Sequence, residues 1–434
     1  MSTKNPSIRS AVLVAAAGAV FCATTAAQNA EKLSLQKAEQ IAIQNHPQVQ
    51  AAADLAVEAK AEVTQAKSAY YPIANGSVTA VDAENNSRVA AGALNNSIIY
   101  EREANGVMVN QLVTDFGRTH ELVKSSNLHA KAQQENVVTT RADVLLAVDQ
   151  SYFGVQKAEA ELKVAQETVK ARQLVSDQIS ALEQNKIKSG LDVSFANVDL
   201  GEAQLLLVQA QNDLDATNAQ LAAALGYGDG RTFELEEEPL PPAPPTDFAD
   251  LLQQAIHDRP ELIGMKLDAE SAHAYATAER DLWLPTISAA GAAGLTPVGA
   301  PQLAPRYAAG GVNVNIPIFN GHLFGALRTE AKSRAQADDQ YLRDMQNKIV
   351  RDVRTAWLNA NSAFQRIALT DQLLKNANQA LDLAQQRYKL GLSSIIELSQ
   401  AQLNETQAEL QSADAKFDYQ AQISALKYQA GQLQ

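Results

Sequence analysis

Histidine is the side chain best suited to exchange protons or hold a metal near neutral pH, so the six histidines are the first residues to test for chemistry. His46, His120, His129, His257, His273 and His322 are scattered, with no His-Glu-x-x-His segment and no paired metal-ligand spacing. Thr114-Asp115-Phe116-Gly117 contains Asp-Phe-Gly, but no glycine-rich loop or His-Arg-Asp segment accompanies it, and the match is read as chance. Gly226-Tyr227-Gly228-Asp229-Gly230 follows a helical pattern and runs into a proline-rich stretch, whereas a phosphate cradle needs a strand before it and a helix after it. The one cysteine, Cys22, lies in an N-terminal segment that does not belong to the fold. The remaining chain therefore offers neither a disulfide nor a thiolate. Nothing in these residues supports an enzyme, and no cofactor is implied.

The elements around them are written twice. His46-Pro47 recurs as Arg259-Pro260 and Pro72 as Pro285, both 213 residues apart. Farther on, Val148 to Tyr152 matches Val353 to Trp357, and Leu221 to Gly226 matches Leu426 to Gly431, now 205 apart. The change in offset places a deletion of about eight residues between the markers, where a surface loop is expected. Each half reads as helix, strand pair, very long helix, turn, long helix. The fold class is therefore mainly α with a small β part, with duplicated coiled-coil helices that suggest a tube rather than a pocket.

Composition agrees. Of 434 residues, 46% are hydrophobic, largely through alanine, and only 5% are aromatic, which suits close packing between helices. The net charge of −13 and the lack of a basic stripe argue against a nucleic-acid partner. Residues 1–27 read as a signal peptide: Lys4 and Arg9 are cationic, Ala11 to Val20 is a short apolar run, and Thr25-Ala26-Ala27 precedes the expected cut. Losing two cations takes the charge from −13 to −15. Phe21 before Cys22 is too large for a lipidation site. No later segment has 18 consecutive apolar residues, which leaves the periplasm or β-strands in an outer membrane.

Four segments suit such strands: 73–83 after Pro72, 104–113 after a polar hairpin holding Asn85, Asn86, Asn95 and Asn96, 286–294 after Pro285, and 307–319 after a Gly/Pro loop. In the last, Val312, Val314, Ile316 and Ile318 alternate with Asn313 and Asn315, the apolar-out, polar-in pattern of a strand lining a wet lumen. A soluble hairpin capping the helices would read similarly. Tyr70, Tyr71 and Trp283 are either interface anchors or core aromatics. Four strands cannot close a hydrophilic barrel, so several chains must share one.

The helices carry the reach. Gly117 to Gly190 contains no proline, and ~73 helical residues extend roughly 110 Å. Leu200, Leu207, Leu214 and Leu221 form a heptad ladder with Ala203, Ala210, Thr217 and Ala224 at the other seam; Leu403, Leu410 and Phe417 repeat it with Thr406 and Ala413. Pro47 and Pro260 suit a first helical turn, and Pro72 and Pro285 suit a switch to extended chain. Residues 228–247, acidic and then proline-rich, read as a semi-rigid connector outside the tube. At the far ends of the long helices, Lys188-Ser189-Gly190-Leu191-Asp192 and Lys389-Leu390-Gly391-Leu392-Ser393 form turns, with Gly190 and Gly391 expected in the left-handed conformation. Exposed Leu191 and Leu392 suit a partner groove, although a self-satisfied cap would look similar.

The duplicated Asn-His-Pro and Asp-Arg-Pro starts, Tyr70-Tyr71-Pro72, Leu282-Trp283-Leu284-Pro285, the Val113 to Gly117 and Ile316 to Gly321 strand exits and the two tips together resemble the TolC-like outer-membrane efflux channels. The resemblance spans Leu33 to Gly431. It implies a homotrimer whose shared 12-stranded β-barrel sits in outer-membrane lipid and continues as a periplasmic α-barrel. It also implies the exit duct of a tripartite efflux or type I secretion system, with a periplasmic membrane-fusion adaptor at the tips. The inner-membrane pump is expected to be of RND type, with ABC or MFS pumps as alternatives. On this basis the chain divides into a signal peptide (1–27), a first efflux repeat (28–226), a linker (227–247) and a second repeat (248–434). By position, Tyr388 and Glu397 fall where the family constricts its tunnel, and three copies of Glu397 would form an acidic ring. Gln400 stands where some members carry a second acid, and Ser393 where some carry an arginine. Asp199 is a further candidate for lumen charge. The rival reading is a periplasmic coiled-coil scaffold without a membrane barrel.

Overall fold

The structure is a computed structural model that describes residues 32–81, 102–298 and 304–433. The signal segment with Cys22, the asparagine-rich hairpin and most of the Gly/Pro loop lie outside the described residues. The first half runs α1 (Leu35–Asn45), α2 (Pro47–Ser68), β1 (Ile73–Val81), β2 (Arg102–Thr114), α3 (Arg118–Gln184) and α4 (Gly190–Ala224). The second repeats it as α5 (Phe248–Asp258), α6 (Pro260–Arg280), β3 (Thr286–Val298), β4 (Arg306–Asn315), α7 (Leu323–Lys389) and α8 (Ile395–Gln429), with a 3-10 turn at Asp281–Trp283.

The punctuation has local causes. Pro47 and Pro260 open α2 and α6 at the first helical position, where the missing N–H costs nothing. At each strand-to-helix junction two successive residues are left-handed: Phe116 and Gly117 before α3, Gly321 and His322 before α7. Asp115 caps the first of these, its carboxylate accepting from the Thr119 amide at 2.7 Å and the Gly117 amide at 3.3 Å. The Asp-Phe-Gly sequence is thus a helix start. Helices α3 and α7 have 67 residues each, which at ~1.5 Å per residue gives ~100 Å.

The heptad reading needs correction. Along α4 the buried positions are Ala196, Ala203, Ala210, Asn218, Leu221 and Ala222, while Leu200, Leu207 and Leu214 are only half-buried. Along α8, Thr406, Ala408 and Ala415 are buried and Leu403 is 45% exposed. Small side chains occupy the contact line because closely approaching backbones leave no room for leucine, which is displaced to the flanks.

The linker is also held more firmly than its composition suggested. Leu235 pairs with Leu33 as an isolated parallel bridge. The buried Tyr152 hydroxyl donates to Leu33 O (2.8 Å) and Glu236 O (2.7 Å), and Gln156 donates to Glu236 O (2.6 Å). In the second half Tyr419 donates to Pro242 O, Gln420 to Glu238 O (3.0 Å) and Trp357 to Pro245 O (2.8 Å). Side chains from both halves thus satisfy the carbonyls of one connecting strap.

The strands form one antiparallel sheet in the order β1-β2-β3-β4, so the central pairing joins the two halves. The register separates two faces. One bears Ser77, Asn110, Ser288, Asn313 and Asn315; the other bears Val78, Val107, Val109, Val312 and Val314, all exposed. The alternation expected for the last segment holds for Val312 to Asn315, but Ile316 and Ile318 lie beyond the end of β4. Across the sheet it is imperfect: Ile73, Met108 and Leu112 share the polar face, and Asn105 and Gln111 the apolar one. Trp283, beside the sheet, packs edge-on against Phe324 with ring centroids 5.7 Å apart and remains partly exposed, as do Tyr70 and Tyr71.

Candidate functional site: the paired tips and the seam above them

The two helix turns expected as tips lie side by side and share one core. Ile179, Ala196, Ala384, Tyr388, Ile395, Leu398 and Ala401 pack together, drawn from α3, α4, α7 and α8. Tyr388 is the pivot. It is 6% exposed, and the Lys188 ammonium of the first tip sits 3.7 Å from its ring centroid, a cation–π contact that ties one tip to the other. Its hydroxyl has no partner. Burial, then the nearby Asp192 charge, pushes its pKa up to about 12.

The tips are not built alike. In the second, Gly391 has φ +72°, and its amide and that of Leu392 close back onto Tyr388 O (3.1 Å) and Arg387 O (2.8 Å). There the glycine expectation holds. In the first, Gly190 is not left-handed. It is the first residue of α4, after the Ser189 cap, and the residue with positive φ is Lys186 at +60°. The reversal comes earlier because Ser189 and Asp192 form a reciprocal capping box: the Ser189 amide donates to Asp192 Oδ2 (3.0 Å) and the Asp192 amide to Ser189 Oγ (3.3 Å). Leu191 and Leu392, at 65% and 66% exposed, project from the two tips, and Leu390 is exposed beside them. Lys389 closes α7, and Ser393 Oγ lacks a partner.

Glu397 occupies the first turn of α8, where Ser394 Oγ accepts from its amide (3.3 Å), and its half-exposed carboxylate pairs with Arg387 Nε at 3.1 Å. Arg387 also reaches Leu392 O (3.4 Å). The guanidinium absent at Ser393 is thus supplied from the preceding turn, a partner missed in the sequence because it lies on the other side of the reversal. Gln400 is exposed and donates to Asn404 Oδ1 (2.9 Å). Asp199 is not grouped with these. It accepts from Ser399 Oγ (2.5 Å) across the α4–α8 contact, lining a cavity of ≈ 250 Å³.

That cavity also contains the other residue missed by sequence reading. Arg172, 7% exposed, donates through Nη2 to Gln402 O (2.8 Å) and Thr406 Oγ1 (3.0 Å), pinning α3 to α8. Burial pulls its pKa down, while Glu405, Asp199 and Glu409 act in the opposite sense. An arginine at a position inside the α3 contact face was the available signal. Among the described residues no cluster of three His, Cys, Asp or Glu side chains could hold a metal ion.

Paired long hairpins ending in an amphipathic sheet define a tubular membrane channel. Residues 38–227 and 251–432 match the outer membrane efflux protein family in two copies, and the chain belongs to that family. It is 22% identical to the outer membrane protein TolC of Escherichia coli over 339 residues, which cover 73% of this chain and 69% of that one. A solved membrane protein from Pseudomonas aeruginosa superposes with TM-score 0.82 at 19% identity, covering 92% of this chain and 93% of that one. The outer membrane protein VceC of Vibrio cholerae superposes with TM-score 0.80 at 16% identity, covering 92% and 96%. The chain is an outer-membrane channel protein with a long periplasmic extension, a transporter rather than an enzyme. The rival reading of a scaffold without a membrane barrel falls with that membership.

Proposed function

We propose that three copies of this chain close one 12-stranded barrel and extend it as a helical tunnel. The assembly is the exit duct of a tripartite efflux or type I secretion system, passively conducting cargo received from an inner-membrane pump through a periplasmic adaptor. One observation carries the reading. A four-stranded sheet with one apolar exposed face stands at the end of two ~100 Å helices, and among the described residues β1 and β4 have no strand on their outer sides. Four strands cannot enclose a lumen, whereas copies joined edge to edge can. Leu205, Val208, Leu369, Leu373 and Leu383 are exposed along the helices of the single chain, which suits burial against neighbouring copies.

In this assembly residues 1–27 are removed on export, and the repeats meet at the 227–247 strap. Tips Lys188 to Asp192 and Lys389 to Ser393 receive the adaptor, presenting Leu191 and Leu392. Tyr388 and Glu397 form the constriction, with Gln400 beside them and Asp199 acting from the seam. A mass measurement of the detergent-solubilised protein tests the assembly: a trimer is expected, and a monomer or tetramer would overturn it.

A further inference from the structure

Tyr307 stands at the second position of β4, at the end of the sheet away from the helices. Its register partner on β3 is Gly294, and the partner of Gly294 on β2 is Gly106. All three share the face that carries Ser77, Asn313 and Asn315, opposite Val107, Val312 and Val314. A Cβ on Gly294 would come within 2.5 Å of both Cζ and Oη of Tyr307 and would also strike Asn105 O. One on Gly106 would overlap the Tyr307 hydroxyl and lie 3.0 Å from Cζ. The phenol therefore lies flat across two neighbouring strands, on backbone that only glycine leaves bare.

We propose that Gly106 and Gly294 form a shelf that parks the Tyr307 ring against the lumen wall and so keeps the outer exit wide. The inference rests on the channel reading, which makes the polar face the lumen. Parked, the rings leave the mouth wide. Without the shelf, each ring must turn to another side-chain rotamer, away from the wall and into the passage. Pore diameter is one of the ways such conduits select their cargo, so the shelf preserves passage for bulky cargo that a displaced ring would exclude. Gly106→Ala is the cleaner perturbation, because its worst overlap is with the far end of the Tyr307 side chain, whereas at Gly294 the backbone of Asn105 must also move.

The chain's only cysteine, Cys22, lies in the segment expected to be removed, so Asn313→Cys provides a single thiol on the same face, six residues farther from the mouth and so ~20 Å deeper. Intact cells are treated from outside with hydrophilic maleimides of increasing size. The reporter should be labelled by small and bulky reagents alike. If the small reagent fails at Asn313→Cys but labels Val312→Cys, the face assignment and with it the channel reading are wrong. Given that labelling, adding Gly106→Ala should leave the small reagent's rate unchanged and slow the bulky one by about an order of magnitude, as a narrowed pore requires. Adding Tyr307→Ser to Gly106→Ala should restore it. Unchanged bulky labelling in Gly106→Ala, or no recovery on removing the ring, overturns the proposal. Tyr307→Ser alone is an independent check should Gly106→Ala fail to assemble. It should leave bulky labelling nearly unchanged, and an order-of-magnitude gain would mean that the ring already obstructs the mouth.

Discussion

Replacing Arg387 by Gln should make the channel more cation-selective, and replacing Glu397 by Gln should make it less so. The two side chains meet at 3.1 Å, so in the proposed trimer each protomer would contribute a nearly neutral pair to the constriction rather than a bare carboxylate. In the proposed trimer, Arg387→Gln therefore uncovers three negative charges and Glu397→Gln three positive ones. For an ion on the axis ~10 Å from each charge, one charge contributes ~0.4 kcal/mol in water and three contribute ~1.2 kcal/mol. Screening at 0.1 M salt reduces this to ~0.4–0.5 kcal/mol, of opposite sign for cation and anion, so the cation-to-anion preference should move roughly four- to fivefold in opposite directions. Divalent block from the periplasmic side should strengthen in Arg387→Gln and weaken in Glu397→Gln. Reversal potentials across a planar bilayer under a salt gradient measure the first effect, and titrated block the second. Both partners are about half exposed, so the pair contributes only ~0.2–1 kcal/mol per protomer and the trimer should melt almost unchanged. Shifts in the same direction, or none, would place this pair on an outer face and refute the argument.

The asymmetric tips give a contrast: Gly391→Val, at φ +72°, should lower the melting temperature at a cost of ~1 kcal/mol or more, whereas Gly190→Ala, with open space around it, should be neutral or stabilising by up to ~1 kcal/mol. If the tips dock the adaptor, crosslinking to it should weaken in the Gly391 variant and persist in the Gly190 one. Tyr388→Phe removes a buried hydroxyl with no partner and should cost nothing in thermal denaturation, whereas Tyr388→Ala should cost ~3–5 kcal/mol and loosen both tips. Glu39, Glu161 and Glu409 are each raised from 4.5 to about 7, first by burial and then by the adjacent Asp149, Asp414 and Glu405. The folded state therefore binds extra protons between about 4.5 and 7, and stability should rise as pH falls through that window, giving a higher melting temperature at pH 5.5 than at pH 8.

Proline, glycine and the two long uninterrupted stretches made most of the fold legible, because their effects are local. Pro47 and Pro260 mark helix starts through their own backbone, and Gly391 marks a reversal for the same reason. Leucine spacing was a poorer guide. A heptad gives the period of a contact but not which of its seams closes, and here the alanine and threonine seam closed. Gly190 misled because a serine–aspartate capping box competes with glycine for control of a turn, and the helix begins where the box does. Arg387 and Arg172 remained hidden for a geometric reason: one meets Glu397 only after the chain reverses, and the other meets Thr406 from the opposite half of the sequence.

The same geometry explains where titration concentrates. Within each half, hairpins α3–α4 and α7–α8 close mainly on alanine and aliphatic contacts, with few polar ones such as Ser176–Asn197 and Arg366–Asp418. Between the halves, the contacts of α3 and α4 with α8 share an apolar core at the tips and carry polar contacts along the rest of their length. Tyr428 donates to Asp143 (2.5 Å), Lys157 reaches Asp414 and Asp418 (3.5 Å each), Arg172 reaches Thr406 (3.0 Å), and Ser399 donates to Asp199 (2.5 Å). Asp149 lies on the same face of α3, beside Ser424 and Glu39. Apolar seams favour a single packing, because any displacement opens voids. Hydrogen bonds and ion pairs exchange for water at a smaller net cost. The raised acids Glu39, Glu161 and Glu409 all lie beside this polar contact. The main like-charged neighbour crosses between the halves only for Glu161, beside Asp414; Glu39 and Asp149 share the first half, and Glu409 and Glu405 share α8, so protonation relieves repulsion within the halves as well as across the joint. Glu409→Gln should remove its share of the pH dependence, read as a smaller difference in melting temperature between pH 5.5 and pH 8.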